Sequence, residues 1–296
     1  MISRMSHAGK FDRIVSLAPS VTSILFALGQ QSRLVGVTKW CADVAPVGNL
    51  PQLGDCWSVR PEELKPLEPD CVIGSVPFKP EVVAAIVGKG FRFLALHPTN
   101  LTDVYSDILL LGRLLDAKRQ ARVVVGQMHS EIAAVRRLAR GARTRPKVYC
   151  ESWSNPLIVS PRWVEELVKA VGGRFVPKPG GRRVTDEEVI AANPEVIILA
   201  WCATGDRAPT EQIYQRSGWG KITAVSERRV FVVRDEKLNT PSPILLEGLR
   251  ELARLIHPEV FAEANLAQLR ESLKASRENK RKNLDGSGKP VSLPRM

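Results

Sequence analysis

Two stretches of sequence decide the fold: Val59-Arg-Pro-Glu-Glu-Leu64 with Pro69-Asp-Cys-Val-Ile73, and Val184-Thr-Asp-Glu-Glu-Val189 with Pro194-Glu-Val-Ile-Ile198. They align without a gap at a constant offset of 125 residues. Each has the pattern of a helix start, a turn and a short buried strand. A unit of this kind that recurs at such a distance predicts two similar lobes rather than one continuous sheet.

Between the two copies lies a segment with the pattern of one long helix. Asp116 is an acceptable N-cap, apolar residues then recur at spacings of three and four, and the breaker Gly141 follows Arg140. The apolar stripe consists of Ala121, Val124, Val125, Met128, Ile132, Val135 and Ala139. About 24 residues at 1.5 Å each give a rod of roughly 36 Å, which is long enough to connect two lobes.

Short apolar runs alternate with helical patterns on both sides of this helix, as is typical of parallel α/β sheets. We therefore predict an α/β fold: two Rossmann-like lobes with parallel sheets, bridged by a single long helix, with a ligand cleft between the lobes. The predicted boundaries are 11–115 for the N-terminal lobe, 116–142 for the connecting helix, 143–260 for the C-terminal lobe and 261–296 for a basic tail. The tail is polar and charged from Ser276 onward, so we expect it to be disordered.

Composition excludes several classes of protein. The 296 residues contain 44% hydrophobic and 25% charged residues, and no apolar stretch approaches the length of a membrane-spanning helix. Five cysteines without regular spacing argue against a disulfide framework and a zinc ribbon. The first residues lack the apolar segment and cleavage site of a secretory signal, so we expect the chain as written to be cytoplasmic.

The net charge of +12 is concentrated in two places. Residues 117–147 contain nine Lys or Arg against the single acid Glu131, and residues 262–296 contain eight against four. A basic excess confined to one helix and a tail is typical of a solvated face, so we expect no nucleic-acid partner. The alternative is an interaction protein whose basic helix and tail bind an anionic partner.

Signatures of common enzymes are missing. The sequence contains no GxGxxG, P-loop, HExxH or GxSxG motif, and we expect no enzymatic activity. The four histidines, which are His7, His97, His129 and His257, are scattered, so a tris-histidine metal site is not expected.

Tryptophans mark the candidate binding site. Four of the six follow predicted strands: Trp40, Trp57, Trp153 and Trp201. Ligands of open α/β sheets bind beyond the carboxyl ends of the strands, and aromatic side chains from both lobes would form flat walls for a large planar ligand. The alternative is that these rings fill the hinge or cover each sheet. Cys41 and Cys202 lie beside these tryptophans. One interpretation is that they bind a soft metal across the cleft, and the other is that they are small buried residues at strand ends.

The repeated acidic pairs have two explanations. Glu188 fits a capping box with Thr185, so Glu63 and Glu188 have a structural role available. Glu62 and Glu187 have no such capping role. One explanation for them is that they lie at helix N-termini, where the helix dipole favours an acidic side chain. Twin carboxylates on twin lobes also match twin arginines on a partner with two-fold symmetry.

These features resemble the substrate-binding proteins of cobalamin and iron-siderophore importers, the class in which one long helix joins two lobes, and most of all the cobalamin-binding branch. The resemblance covers roughly residues 13–258. It rests on the repeats and on four further segments: Arg13-Ile-Val-Ser-Leu-Ala-Pro-Ser-Val-Thr-Ser-Ile24, Gly36-Val-Thr-Lys-Trp-Cys41, Trp163-Val-Glu-Glu-Leu167 and Gly172-Gly173.

The resemblance implies specific roles. Trp40 and Trp57 fall at or beside aromatic residues that pack on the corrin, and Glu62 and Glu187 match glutamates that dock on the permease. Together with Trp163, the predicted ligand-binding set is Trp40, Cys41, Trp57, Trp153, Trp163, Trp201 and Cys202. The sequence departs from the family where Gly181 and Ser152 replace aromatic residues and where Ser242-Pro-Ile244 replaces Ser-Pro-Arg.

The resemblance implies a non-enzymatic, monomeric solute-binding protein for ABC-type import. It would hold cobalamin or a related tetrapyrrole or metal chelate, without an intrinsic cofactor or metal, and dock on an ABC permease dimer. It would act in the periplasm or cell envelope if the start is misassigned. The alternative is a cytoplasmic metal- or tetrapyrrole-handling protein, or an enzyme, that uses the cleft cysteines.

Overall fold

The computed structural model describes residues 11–262, and its first half forms a parallel sheet of five strands in the order β3-β2-β1-β4-β5. The strands are β1 Ile14–Ser16, β2 Leu34–Thr38, β3 Gln52–Leu53, β4 Cys71–Ser75 and β5 Phe93–Leu96. The helices of this half are α1 Pro19–Ala27, α2 Pro61–Leu64, α3 Pro80–Gly88 and α4 Leu101–Leu114. β1 is completely buried at the centre of the sheet, and it begins with the two apolar β-branched residues Ile14 and Val15 that are typical of such strands.

The second half forms a separate sheet in the order β10-β9-β6-β7, with β8 also paired to β6. Its strands are β6 Lys147–Ser154, β7 Leu157–Val159, β8 Arg174–Phe175, β9 Val196–Leu199 and β10 Val230–Val232. Its helices are α6 Arg162–Ala170, α7 Asp186–Ala192, α8 Glu211–Gln215, α9 Thr223–Ser226, α10 Glu236–Asn239 and α11 Leu245–Ile256. All of its pairings are parallel except β6 with β7, a short hairpin that the sequence analysis does not anticipate.

A single long helix, α5 Lys118–Leu138, connects the two sheets and continues as a 3₁₀ turn over Ala139–Gly141. It packs against α4 of the first lobe and against α6 and α11 of the second. Buried Glu131 accepts two hydrogen bonds from Arg250 of α11, at 2.6 and 2.9 Å. The helix is thus part of the core of both lobes.

The predicted fold class is confirmed, including two largely parallel sheets and the long helix between them. The repeat is also visible in the elements: α2 begins at Pro61 and α7 at Asp186, and β4 begins at Cys71 and β9 at Val196, both 125 residues apart. Most of the predicted basic tail lies outside the described residues. Within residues 11–262, no helix is both long and apolar enough to span a bilayer.

Candidate functional site

A cavity of about 1140 Å³ lies between the two lobes. The first lobe lines it with residues that follow β1, β2, β3 and β4, and the second lobe with the β6–β7 hairpin and the segments after β9 and β10. These segments come together because the carboxyl ends of parallel strands meet at one edge of a sheet. Each lobe therefore presents its loop edge to the same cleft.

Three of the predicted tryptophans line this cavity: Trp40 and Trp57 from the first lobe and Trp153 from the second. The side chains of Trp57 and Trp153 are 53% and 44% exposed, which is unusual for a residue type that is highly buried on average. The Trp153 indole donates a hydrogen bond to the Asn155 carbonyl oxygen at 2.8 Å. Lys39 Nζ lies 4.3 Å from the centroid of the Trp40 ring.

A tight loop positions Trp57. Asp55 accepts hydrogen bonds from the Trp57 amide at 3.0 Å and from the Ser58 hydroxyl at 2.9 Å. Gly54 is required at the base of the loop, because a Cβ atom there would lie 2.6 Å from the Cα of Val59. The indole is thus held at the cavity wall by its own backbone.

Three of the predicted ligand-binding residues do not line the cavity, which corrects that part of the prediction. Trp201 is buried, and its indole donates to Glu151 Oε1 at 2.8 Å. Trp163 is buried under α10 and donates to the Leu238 carbonyl oxygen at 2.8 Å. Cys41 is completely buried, with Sγ 3.1 Å from the Thr22 hydroxyl and 3.2 Å from that of Thr38.

The cysteines of the cavity are Cys56 and Cys202, one from each lobe. Burial raises the pKa of both thiols to about 11, with a further contribution from Asp55 at Cys56 and from Asp235 at Cys202. Both are therefore protonated at neutral pH, whereas a metal is bound by the thiolate. Since Cys41 lies away from the cavity, the predicted Cys41–Cys202 metal pair is not formed. Residues 11–262 contain no cluster of three or more His, Cys, Asp or Glu side chains arranged for a metal ion.

Charged residues of the cleft were missed by the sequence analysis. Five acids line the cavity against three arginines: Asp43, Asp55, Asp206, Asp235 and Glu236, and Arg183, Arg207 and Arg234. Burial raises the pKa of Asp235 to about 6, although its carboxylate accepts a hydrogen bond from the Ala203 amide at 3.3 Å. No recognisable motif surrounds these residues; the only available signal was their position just after a strand.

Two buried polar atoms of the cavity wall have no hydrogen-bond partner among the described residues. They are the hydroxyl oxygen of Ser75, from the first lobe, and Oδ1 of Asn239, from the second. The amide nitrogen of Asn239 donates to the Ala200 carbonyl oxygen at 2.7 Å, which fixes the orientation of the group. Buried polar atoms are normally paired, so these two are candidate contacts for a bound molecule.

The two predicted docking glutamates, Glu62 and Glu187, are exposed in the first turns of α2 and α7. Their neighbours have structural roles: Glu63 accepts from the Arg60 and Gly54 amides, and Glu188 accepts from the Thr185 amide. A hydrogen bond from the Thr185 side chain lowers the pKa of Glu187, which is therefore ionised at neutral pH.

This architecture is shared with known proteins. The family model described as "Periplasmic binding protein" matches residues 14–236. The chain belongs to the periplasmic binding protein family. Its members bind solutes for ABC importers and are not enzymes, so the predicted role as a solute-binding protein for ABC-type import is confirmed at this level.

Two relatives in sequence and one solved structure are similar to this chain. An uncharacterised ABC transporter substrate-binding lipoprotein, YvrC of Bacillus subtilis, is 27% identical over 262 residues, covering 85% of this chain and 82% of its own. The vitamin B12-binding protein of Yersinia pestis is 26% identical over 255 residues, covering 82% and 85%. A periplasmic heme-binding protein of Pseudomonas aeruginosa superposes with a TM-score of 0.74 at 23% identity, covering 84% and 93%, which shows a shared fold.

The family also bears on the cellular location. Its model is that of periplasmic proteins, and YvrC is a lipoprotein. The expectation of a cytoplasmic protein, which came from the first residues alone, has no support from these relatives.

Proposed function

We propose that this protein binds cobalamin, or a closely related corrin, in the cleft and delivers it to an ABC permease. The observation that carries the proposal is the pair of half-exposed indoles, Trp57 and Trp153, on opposite lobes of one cavity. An exposed indole is costly in water and gains free energy when a flat apolar surface covers it. Two such rings on opposite lobes suit a ligand with two large faces.

The size of the cavity supports a large ligand. Pockets for drug-sized molecules measure about 300–1000 Å³, and this one measures about 1140 Å³. A corrin with its peripheral side chains fills such a space. A single amino acid or sugar is too small to contact both lobes at once.

The polar groups of the cleft favour a corrin over heme, the other tetrapyrrole bound by relatives. Heme carries two propionates, and carboxylates outnumber guanidinium groups in this wall. Iron in heme also needs an axial ligand. The described residues of the wall include no histidine or tyrosine, and the raised pKa values of its two cysteines, Cys56 and Cys202, disfavour the thiolate that would bind iron. A corrin rimmed with neutral amides avoids the repulsion that heme propionates would meet from the carboxylates of the wall. Its amides also offer hydrogen-bond donors and acceptors to Asn239 and Ser75.

Delivery to the permease would use Glu62 and Glu187. Their carboxylates are exposed, one per lobe, at equivalent positions of the repeat, and neither has an ion-pair partner in the part of the chain that the structure describes. Arginines on a two-fold permease would pair with both at once. Such a role places the protein on the outer side of the cytoplasmic membrane.

The test is a binding titration of the purified full chain. Equilibrium dialysis with cyanocobalamin and hydroxocobalamin should give micromolar or tighter binding, accompanied by quenching of tryptophan fluorescence. Replacing both Trp57 and Trp153 by alanine should weaken binding at least about tenfold, because each stacked aromatic contributes roughly 1 kcal/mol beyond area burial. Leu110→Ala is the control, since Leu110 is 40% exposed but outside the cavity. Preferential binding of hemin, or no binding of either cobalamin, would refute the proposal.

A further inference from the structure

The connecting helix carries a repeated pattern of positive charge that the binding function does not use. Lys118, Arg119 and Arg122 lie near its start, and Arg136, Arg137 and Arg140 near its end. The second group of three repeats the spacing of the first, displaced along the chain by five full turns of an α-helix. The two triads therefore lie on one face of the rod, about 27 Å apart.

This face points away from the protein. All six cationic residues are exposed, whereas the buried residues of α5, among them Ala121, Met128 and Val135, occupy the opposite side. Between the triads the same face presents Gly126, His129 and Ala133, and no acid. We name the surface formed by the two triads and these three residues the cationic face.

The acids nearest to the cationic face within residues 11–262 do not balance its charge. Glu131 of the same helix is buried and paired with Arg250. Asp116 is exposed just before the helix, but it is a single carboxylate beside Lys118 and Arg122, and it is distant from the second triad. Exposed Arg143 and Arg145 extend the positive charge beyond that triad.

We propose that the cationic face binds the surface of an anionic phospholipid bilayer. A bilayer presents a plane of phosphates, and an α-helix with cations near both ends of one face can contact that plane at both triads. Between the two triads the side chains of Gly126 and Ala133 are small, and the ring of His129 packs against Tyr105 of α4 with the ring centroids 4.3 Å apart. A duplex nucleic acid fits less well, because the helical repeat of its grooves is longer than the separation of the triads.

Membrane binding through this face is compatible with ligand capture. None of the residues that line the cavity lies on α4, α5 or the turn after α5. A bilayer against the helix would therefore leave the loops of the cleft free, and would keep the protein close to the membrane independently of which ligand it holds.

The test is co-sedimentation of the full chain with vesicles. Binding is expected to vesicles of one part phosphatidylglycerol to two parts phosphatidylcholine, and not to pure phosphatidylcholine, at low salt. It should weaken strongly as the salt approaches about 0.5 M, where charges are screened over a few ångströms. Replacing Lys118, Arg122, Arg136 and Arg140 together by glutamine should reduce the partition coefficient at least about tenfold, since each cation contributes roughly a factor of five.

The control replaces four exposed lysines elsewhere, Lys65, Lys79, Lys89 and Lys221, by glutamine, which changes the net charge equally. This variant should bind like the wild type. Two double variants, Lys118→Gln with Arg122→Gln and Arg136→Gln with Arg140→Gln, serve if the fourfold change unfolds the protein. They should each give an intermediate loss, because either triad alone holds only one end of the helix.

Several outcomes would overturn the proposal. They are absence of binding to anionic vesicles at low salt, equal losses in the control and the fourfold variant, and tighter binding to a short DNA duplex than to vesicles. Cobalamin affinity should be the same in the wild type and the fourfold variant, so a failure here is distinguishable from a failure of the ligand proposal.

Discussion

Glu151 is a fully buried carboxylate whose two oxygens receive four hydrogen bonds. Arg216 donates twice at 2.7 Å, the Tyr149 hydroxyl donates at 2.8 Å and the Trp201 indole donates at 2.8 Å. The guanidinium group of Arg216 also lies 4.5 Å from the centroid of the Trp219 ring. This network holds Trp201 in the interior, which is why a tryptophan that follows a strand does not reach the cleft.

Glu151→Ala should strongly destabilise the fold. The change leaves the Arg216 guanidinium group largely buried without its counter-charge, and breaking a buried pair typically costs about 3–5 kcal/mol. Urea unfolding followed by circular dichroism measures the loss. Lys178→Ala is the control, because Lys178 is exposed and its ion pair with Glu165 should contribute no more than about 1 kcal/mol. Equal stability of Glu151→Ala and wild type would show that the network is not structural.

Cys202 should react slowly with iodoacetamide at neutral pH. Only the thiolate attacks, and a pKa raised to about 11 leaves a very small thiolate fraction at pH 7. The alkylation rate, measured by mass spectrometry of the Cys202 peptide, should rise about tenfold per pH unit up to about pH 10. A plateau below pH 9 would contradict this raised pKa. Bound ligand should slow the reaction at every pH, because Cys202 lines the cavity.

At the scale of elements, the contact between α4 and α5 depends on Gly112. A Cβ atom at this position would lie 2.3 Å from the Cβ of Ala121, so the two helices approach as closely as they do only because Gly112 has no side chain. Gly126, on the outer side of α5, has no atom within 4 Å of the position of its missing Cβ. Gly112, at a crowded contact, and Gly126, at an open position, therefore allow the same substitution to be compared in two environments.

Gly112→Ala should lower the free energy of unfolding by about 1–3 kcal/mol, as is usual for overpacking. Gly126→Ala should instead raise it by up to about 1 kcal/mol, because alanine has the higher helix propensity and the site is open. Urea denaturation of both variants tests the pair. If Gly112→Ala were stabilising, the helices would be able to separate at this contact without cost.

The elements could largely be predicted from the sequence, and the site only in part. Periodicity identified the long helix, because its buried stripe is continuous, and the repeat identified the equivalent units around β4 and β9. The sequence placed Trp57 and Trp201 alike, just after strands. Whether an indole turns outward or inward depends on partners distant in the chain, such as Arg216 for Trp201, and a pattern within one segment carries no information on them.

At the scale of the whole molecule, the lobes are held together at several points besides α5. The Ser242 hydroxyl donates to that of Ser23 at 3.0 Å, and the Leu101 amide of α4 donates to Glu166 of α6 at 3.1 Å. Arg250 ties α11 to the long helix. Contacts on this scale oppose a wide hinge motion.

Ligand binding should therefore change the overall shape very little. Small-angle X-ray scattering of the free and cobalamin-saturated protein should give radii of gyration that agree within about 1 Å, as expected for a preformed site. A decrease of several ångströms on saturation would show that the lobes close on the ligand and that the inter-lobe contacts break.

The cleft is built mainly from the loops that follow the strands, and the sheets contribute to its wall only Ser75, at the end of β4, and residues of the β6–β7 hairpin. Mutations in these loops can therefore change the ligand specificity without disturbing the buried core that stabilises the fold. The same separation makes the molecule a practical starting point for engineered sensors: new loops would redefine the captured compound, and the two native indoles would report its arrival optically.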